Sequence, residues 1–228
     1  MRTKDWKAVV TPKTLLITDH STLQWSEEPA AYTLFLDYYF QEMPYDHGER
    51  SRYTEAKNIF EQIKYLSAGR YRPQEIYATN LCPDPLERAP KGKHPLVTEN
   101  KAAAGLRHIR SILKEHSSIE AVFAFGLQTN YLLQRLGFYG GDETFLYGAQ
   151  PRRDGVENAP PYYRPVRAAV FAEICGNIFE TPGERVKTIP LLGPRDYPLE
   201  GSNREKYAGA YERIRSYFEK ENGAVKTF

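Results

Sequence analysis

Asparagine at the end of an apolar run has chemistry to offer, and Tyr77-Ala78-Thr79-Asn80 closes one. Its amide donates and accepts in one plane, so Asn80 can read a pyrimidine edge with two hydrogen bonds; taken alone, such a residue more often caps a turn. A second candidate is Asp19-His20-Ser21, directly behind Thr14-Leu15-Leu16-Ile17-Thr18. Asp19 or His20 can serve as a general base or an electrostatic partner beside a bound ligand. The three consecutive residues are not a Ser-His-Asp triad, because a triad is assembled in space rather than along the chain. Cations lie in the segments behind these runs: Arg50 and Arg52, Arg88, Lys91 and Lys93, Arg152 and Arg153, and Arg195. Phosphate contacts need such a distribution, with Tyr162, Tyr163 and Tyr197 as stacking surfaces. The acids Asp46, Glu49, Asp84 and Glu87 dilute the patch.

These residues need a frame, and the stretch from Glu75 to Gly126 supplies its pattern. A strand ends at Asn80, a proline-rich loop follows to Pro95, a helix runs from about Glu99 to Lys114 with Thr98 as its cap, and a strand spans Ala121 to Phe125. Strand, helix and strand in that order describe a parallel, right-handed crossover. Ligands of open α/β sheets bind at the carboxyl ends of the strands, which is where Asn80 falls. Thr14 to Thr18 reads as the first strand and Val186 to Leu192 as the last, giving four parallel strands with helices on both faces. Helices are expected over Pro29 to Met43, Thr54 to Ser67 (stopped near Gly69), Gly126 to Leu136 (stopped at Gly137) and Arg204 to Lys220. Val166 to Ile174 reads equally as strand or helix. Met43 to Tyr53 is a turn-rich loop, and Gly140 to Pro165 reads as an irregular insertion.

The 228 residues suffice for one domain over 1–228, and a net charge of +2 with 26% charged residues announces no nucleic acid, membrane or acidic partner, so any nucleic-acid site is a local patch. The 17 Tyr and 11 Phe suit core edges or base stacking. Cys82 and Cys175 lack CxxC spacing, so no metal centre or other cofactor is expected. Met1 to Lys13 has no apolar core of signal-peptide length, and no segment approaches ~20 consecutive apolar residues. A soluble, cytoplasmic protein without a membrane partner is expected. There is no fixed-period repeat, and nothing in the sequence sets the oligomeric state.

The order of motifs resembles the uracil-DNA glycosylase superfamily, particularly its thermostable iron-sulfur branch. That branch has a first strand ending in Gly-Glu-Ala-Pro-Gly, an aromatic residue in a loop before a helix, a strand ending in Thr-Asn, a proline-rich loop, a helix, a strand ending in Leu-Gly and a last strand ending in His-Pro. The matching places here read Thr18-Asp19-His20-Ser21-Thr22, Arg52-Tyr53, Tyr77-Ala78-Thr79-Asn80, Phe125-Gly126 and Gly193-Pro194. The likeness spans most of Thr14 to Phe218 and is close from Thr79-Asn80 through Gly126. The first motif lacks the family's glycine and proline, the family histidine is replaced by Gly193, and the cluster cysteines are missing.

The resemblance implies a three-layer α/β/α fold with a four-stranded parallel sheet in the order 2-1-3-4. It also implies a DNA repair glycosylase, a hydrolase of the N-glycosidic bond, acting on a flipped base. Asn80 would read the base edge, Tyr53 would stack on the base, and Asp19 or His20 would position water or assist the departing base. Lys91, Lys93 and Arg195 would contact DNA phosphates, and Arg195 is the cation nearest the missing histidine. Since Gly193 offers no donor to the departing base, excision is expected to be slow or undetectable. A silent member that binds nucleic acid, a nucleotide-like ligand or a protein, and an unrelated small-molecule hydrolase, remain alternatives on the same scaffold.

Overall fold

The run Thr14-Leu15-Leu16-Ile17-Thr18 is buried at every position, so its two faces must each be covered, as befits a central parallel strand. The computed structural model describes residues 11–18, 58–72, 75–82, 97, 99–140, 168–193 and 199–225. In chain order these form β1 (Thr14–Thr18), α1 (58–66), β2 (Ile76–Asn80), α2 (Glu99–Glu115), β3 (Ala121–Phe125), α3 (Leu127–Arg135), α4 (Ala168–Ile174), β4 (Phe179–Glu180), β5 (Lys187–Leu191) and α5 (Gly201–Val225).

The sheet is ordered β2-β1-β3-β5-β4. β1 pairs parallel with β2, Thr14 opposite Ile76 and Thr18 opposite Asn80; β1 pairs parallel with β3, and β3 with β5, Phe125 opposite Leu191. The four strands expected near Thr14, Glu75, Glu120 and Val186 are therefore parallel neighbours, with their carboxyl ends on one edge. The expected count of four is corrected to five. β4 pairs antiparallel with β5, Phe179 opposite Thr188 and Glu180 opposite Lys187. Two residues are too few to show strand periodicity. The hairpin is instead fixed by the turn at Pro182-Gly183, closed by Thr181 N–H to Val186 O (3.2 Å) and by the Thr181 and Thr188 hydroxyls, 2.8 Å apart.

Alternation along the strands divides the core between the two faces. Leu16, Ala78, Phe123 and Ile189 pack with Ile59, Ile63 and Leu66 of α1, Phe171 and Ile174 of α4, and Tyr207, Tyr211, Ile214 and Phe218 of α5. Leu15, Ile17, Val122 and Ala124 pack with Ala102, Leu106, Ile109 and Ile112 of α2 and Leu132 and Leu133 of α3. The segment Val166 to Ile174, whose short apolar run from Ala168 to Ala172 fits either period, is helical from Ala168 and buries Phe171 and Ile174 at helical spacing. α5 is longer than the expected Arg204 to Lys220. The expected helix over Pro29 to Met43, the loop at Met43 to Tyr53 and nearly all of the Gly140 to Pro165 insertion lie outside the described residues. No helix among the described residues is long and apolar enough to cross a membrane.

The amino edge of the sheet is closed by ion pairs. Arg70 grips Glu120 with two bonds (2.7 and 2.9 Å), and the Glu75 carboxylate meets Lys13 Nζ and Arg72 Nη2, both at 3.0 Å. The Arg72 guanidinium, more than any other neighbour, holds Glu75 far below the usual carboxylate range, at about 2.

Candidate functional site at the carboxyl edge of the sheet

Register builds the first contact of this edge. Because Thr18 and Asn80 stand opposite each other at the ends of parallel neighbours, their side chains project to the same face. The Thr18 hydroxyl donates to Asn80 Oδ1 at 2.7 Å, and both residues are buried. That bond fixes the amide's rotation and turns Nδ2 away from Thr18. An Asn held this way is preorganised, since its orientation is set before any ligand arrives.

Below Asn80 the chain is clamped. Leu81 N–H donates to Thr18 O at 2.9 Å, and the Leu81 carbonyl lies against Gly105 in the middle of α2. A Cβ at Gly105 would stand 1.6 Å from that oxygen, so only glycine allows the helix this close to the turn that carries Asn80. Gly105 is costly for helix propensity, and its place in the sequence is explained by this contact rather than by the helix.

The neighbouring turn from β3 into α3 is held by a residue that sequence reasoning missed. Asn130 Nδ2 donates to Ala124 O and Gly126 O, both at 2.9 Å, and to Leu191 O at 3.3 Å; its Oδ1 accepts from the buried Tyr139 hydroxyl at 3.1 Å. One amide thus ties the ends of β3 and β5 to the start of α3. Burial pushes the Tyr139 phenol well above its ordinary value, so it stays a neutral donor here. Gly126 itself, at φ 93° and ψ 151°, occupies a conformation open to glycine and costly for other residues. Gln128 Oε1 then accepts from Val97 N–H at 3.1 Å, joining the start of α3 to the chain just before α2. No short-range pattern marks Asn130 or Gln128. Their signal is positional only: polar side chains two and four residues after Gly126.

The last strand ends at Leu191, and Gly193, half-buried, follows two residues on. With neighbouring strands about 4.8 Å apart, the backbones of β2 and β5 are separated by three spacings, about 14 Å. A group meeting a ligand from the β5 side must reach inward across that span, and Gly193 has no side chain to do so. Of the expected site residues, Asn80 is described and sits on the edge with Thr18. Asp19, His20, Tyr53, Lys91, Lys93 and Arg195 lie outside the described residues. The chain matches no protein-family model, and no curated protein matches it in sequence.

Cys82, just past Asn80, and Cys175 are buried and not joined in a disulfide, and burial pushes the Cys175 thiol up to about 12, so it offers no ready thiolate. A cleft of about 690 Å³ opens elsewhere, between α1 and α5, lined by Glu61, Lys64, Tyr65, Arg215, Glu219 and Asn222. Its polar groups answer one another. The Tyr65 hydroxyl donates to Glu212, the Arg215 guanidinium lies 4.7 Å from the Tyr65 ring centre, and Arg215 Nε bonds Glu219 at 2.9 Å. Asn222 lies by Arg70, so this cleft belongs to the amino edge of the sheet and not to the edge that carries Asn80.

Proposed function

We propose that this chain is a divergent uracil-DNA glycosylase-like protein, three-layer α/β/α in build over 1–228, that holds a flipped base against Asn80 and excises it weakly or not at all. The observation that carries the reading is the Thr18 to Asn80 bond at 2.7 Å, on the carboxyl edge of four parallel strands ordered β2-β1-β3-β5. An amide fixed at a strand end offers a base edge a donor and an acceptor in one plane, and its rotation is already set. In this reading Asp19 or His20 positions water or assists the departing base, Tyr53 stacks on the base, and Lys91, Lys93 and Arg195 contact phosphates, roles taken from the resemblance. The partner is DNA, and this reading needs no metal.

Chemistry is the weaker half of the reading, because the resemblance puts Gly193 in the place of the family histidine that would donate to the departing base. Losing one such donor costs about 3 kcal/mol or more of transition-state stabilisation, roughly a hundredfold or more in rate. Recognition does not depend on that donor and survives its absence.

The test incubates excess protein with a uracil-containing single strand and with a duplex, measuring released uracil and binding in parallel. Asn80→Ala and Gly193→His accompany the natural sequence. The expected result is little or no excision, a preference for the uracil strand over its thymine counterpart, and loss of that preference in Asn80→Ala. Absence of any base preference, with Gly193→His also inert, would remove the glycosylase reading. Robust excision by the natural sequence would overturn its catalytic half and assign the donor's role to another group.

A further inference from the structure

α2 carries on its outer side a stripe of like charge that the candidate site does not use. At 100° per residue, Asn100, Ala103, Arg107, Arg110, Ser111 and Lys114 fall on one face, opposite the buried Gly105, Ile109 and Ile112. Arg107 and Arg110 are three residues apart, and Arg110 and Lys114 four, which makes them repelling neighbours on the helix surface. The positions three and four residues to either side of each hold Ala, Leu, Ser or another of the three cations, never an acid. Among the described residues none of the three is paired with a carboxylate, whereas Arg70, Arg72, Arg135 and Arg215 each are. Arg110 goes further: its Nε is buried and meets no hydrogen-bond acceptor among the described residues. Lys114 in the last turn complements the helix dipole, but Arg107 and Arg110 lie too far from the terminus for that explanation.

We infer that this face of α2 is a track for the phosphates of a single-stranded nucleic acid leading away from the carboxyl edge of the sheet. The choice of polyanion rests on the nucleic-acid reading above; the track itself rests on α2 alone. From Arg107 to Lys114 the cations cover about 10 Å of helix, enough for successive phosphates of one strand. Besides the cations the face holds Asn100, Ala103 and Ser111, and the leucines beside Arg110, Leu106 and Leu113, are buried, so it exposes no apolar anchors of the kind that center a protein interface or seat a helix in a bilayer surface. A regularly charged, flexible backbone needs neither. The Gly105 contact with Leu81 fixes where the track begins relative to Asn80.

The test measures binding of a fluorescent oligothymidylate, which contains no uracil, from low to moderate salt. Arg107→Gln, Arg110→Gln and Lys114→Gln are combined in one variant; Arg204→Gln, Lys206→Gln and Arg213→Gln on α5 remove the same charge elsewhere. Each single-strand phosphate contact contributes about 0.7 to the slope of log affinity against log salt. The α2 variant should therefore lose about 2 from the slope and bind at least tenfold more weakly at low salt, while the α5 variant keeps the natural slope. Arg107→Lys with Arg110→Lys should restore binding, since counterion release counts charges, and thermal melting of every variant shows that folding is intact. Equal loss in both triple variants, or loss in neither, overturns the track. Polyglutamate binding as tightly as the oligonucleotide and through the same three residues would overturn the nucleic acid in favour of an acidic protein segment. Asn80→Ala separates this outcome from the base-binding reading, because it removes uracil preference and leaves the oligothymidylate slope unchanged.

Discussion

Replacing Gly105 by alanine sets two physical effects against each other, and the structure decides the sign. In an isolated helix the change is favourable by about 1 kcal/mol, because glycine loses more backbone freedom on folding. Here the new Cβ would meet Leu81 O at 1.6 Å and Leu81 C at 2.8 Å. A carbon beside a carbonyl oxygen settles near 3.3 Å, so α2 or the Asn80-Leu81-Cys82 turn must retreat by about 1.7 Å. The obstacle is backbone, held by Leu81 N–H to Thr18 O, and it has no rotamer to change. Overpacking of this kind costs about 3 kcal/mol, leaving a net loss of about 2 kcal/mol after the propensity gain. For a chain of 228 residues that corresponds to a fall in Tm of roughly 4–8 °C. Urea denaturation and thermal melting measure the stability. Base preference measured on the folded fraction reports the displacement of Asn80 and should weaken. A Gly105→Ala protein more stable than the natural one would refute the close approach of α2 to the turn, and with it the account of how Asn80 is positioned.

Asn130→Asp keeps the shape of the side chain but turns carbonyl-facing donors into acceptors. It should cost about 3–5 kcal/mol in denaturant unfolding and more than Asn130→Ala; an aspartate as stable as asparagine would show that the amide does not hold the ends of β3 and β5. Glu75, at about 2 in the folded protein against an ordinary 4.5, contributes stability that is fully present above about pH 4.5 and is lost as pH falls through 2. The shift corresponds to at most about 3 kcal/mol, brought toward 1–2 by the water around Arg72 and Lys13, whose side chains are 73% and 50% exposed. Glu75→Gln should therefore flatten the stability profile between pH 4.5 and 2, and an unchanged profile would count against the triad.

The parallel core was legible because its strands are apolar runs buried on both faces, and because Gly69, Gly126 and Gly137 punctuate the helices where left-handed or extended backbone is needed. β4 was not, since a two-residue strand has no period; only the Pro182-Gly183 turn spoke for it. The run around Ala168 was ambiguous because an apolar run that short fits a buried strand as well as a segment of helix. At the candidate site, Asn80 could be found from its place at a strand end. Its partner Thr18 could not, because the partnership follows from the register of two strands whose sequences lie far apart. Asn130 was hidden by its helix, where asparagine reads as a mildly unfavourable residue until the carbonyls around it are known.

The two-residue β4 also bears on how molecules of this protein meet. A parallel sheet that ended at β5 would present a row of backbone donors and acceptors to any extended chain in solution, the usual template for strand-to-strand aggregation. Another parallel strand would require a crossover of a dozen residues or more, whereas a tight hairpin covers Lys187 and Thr188 at once. The Glu180 side chain, 81% exposed and 3.8 Å from Lys187 Nζ, places charge on that boundary. The hairpin thus covers part of the β5 edge while adding little to the core, and lengthening it with alternating apolar residues would be expected to promote association edge to edge.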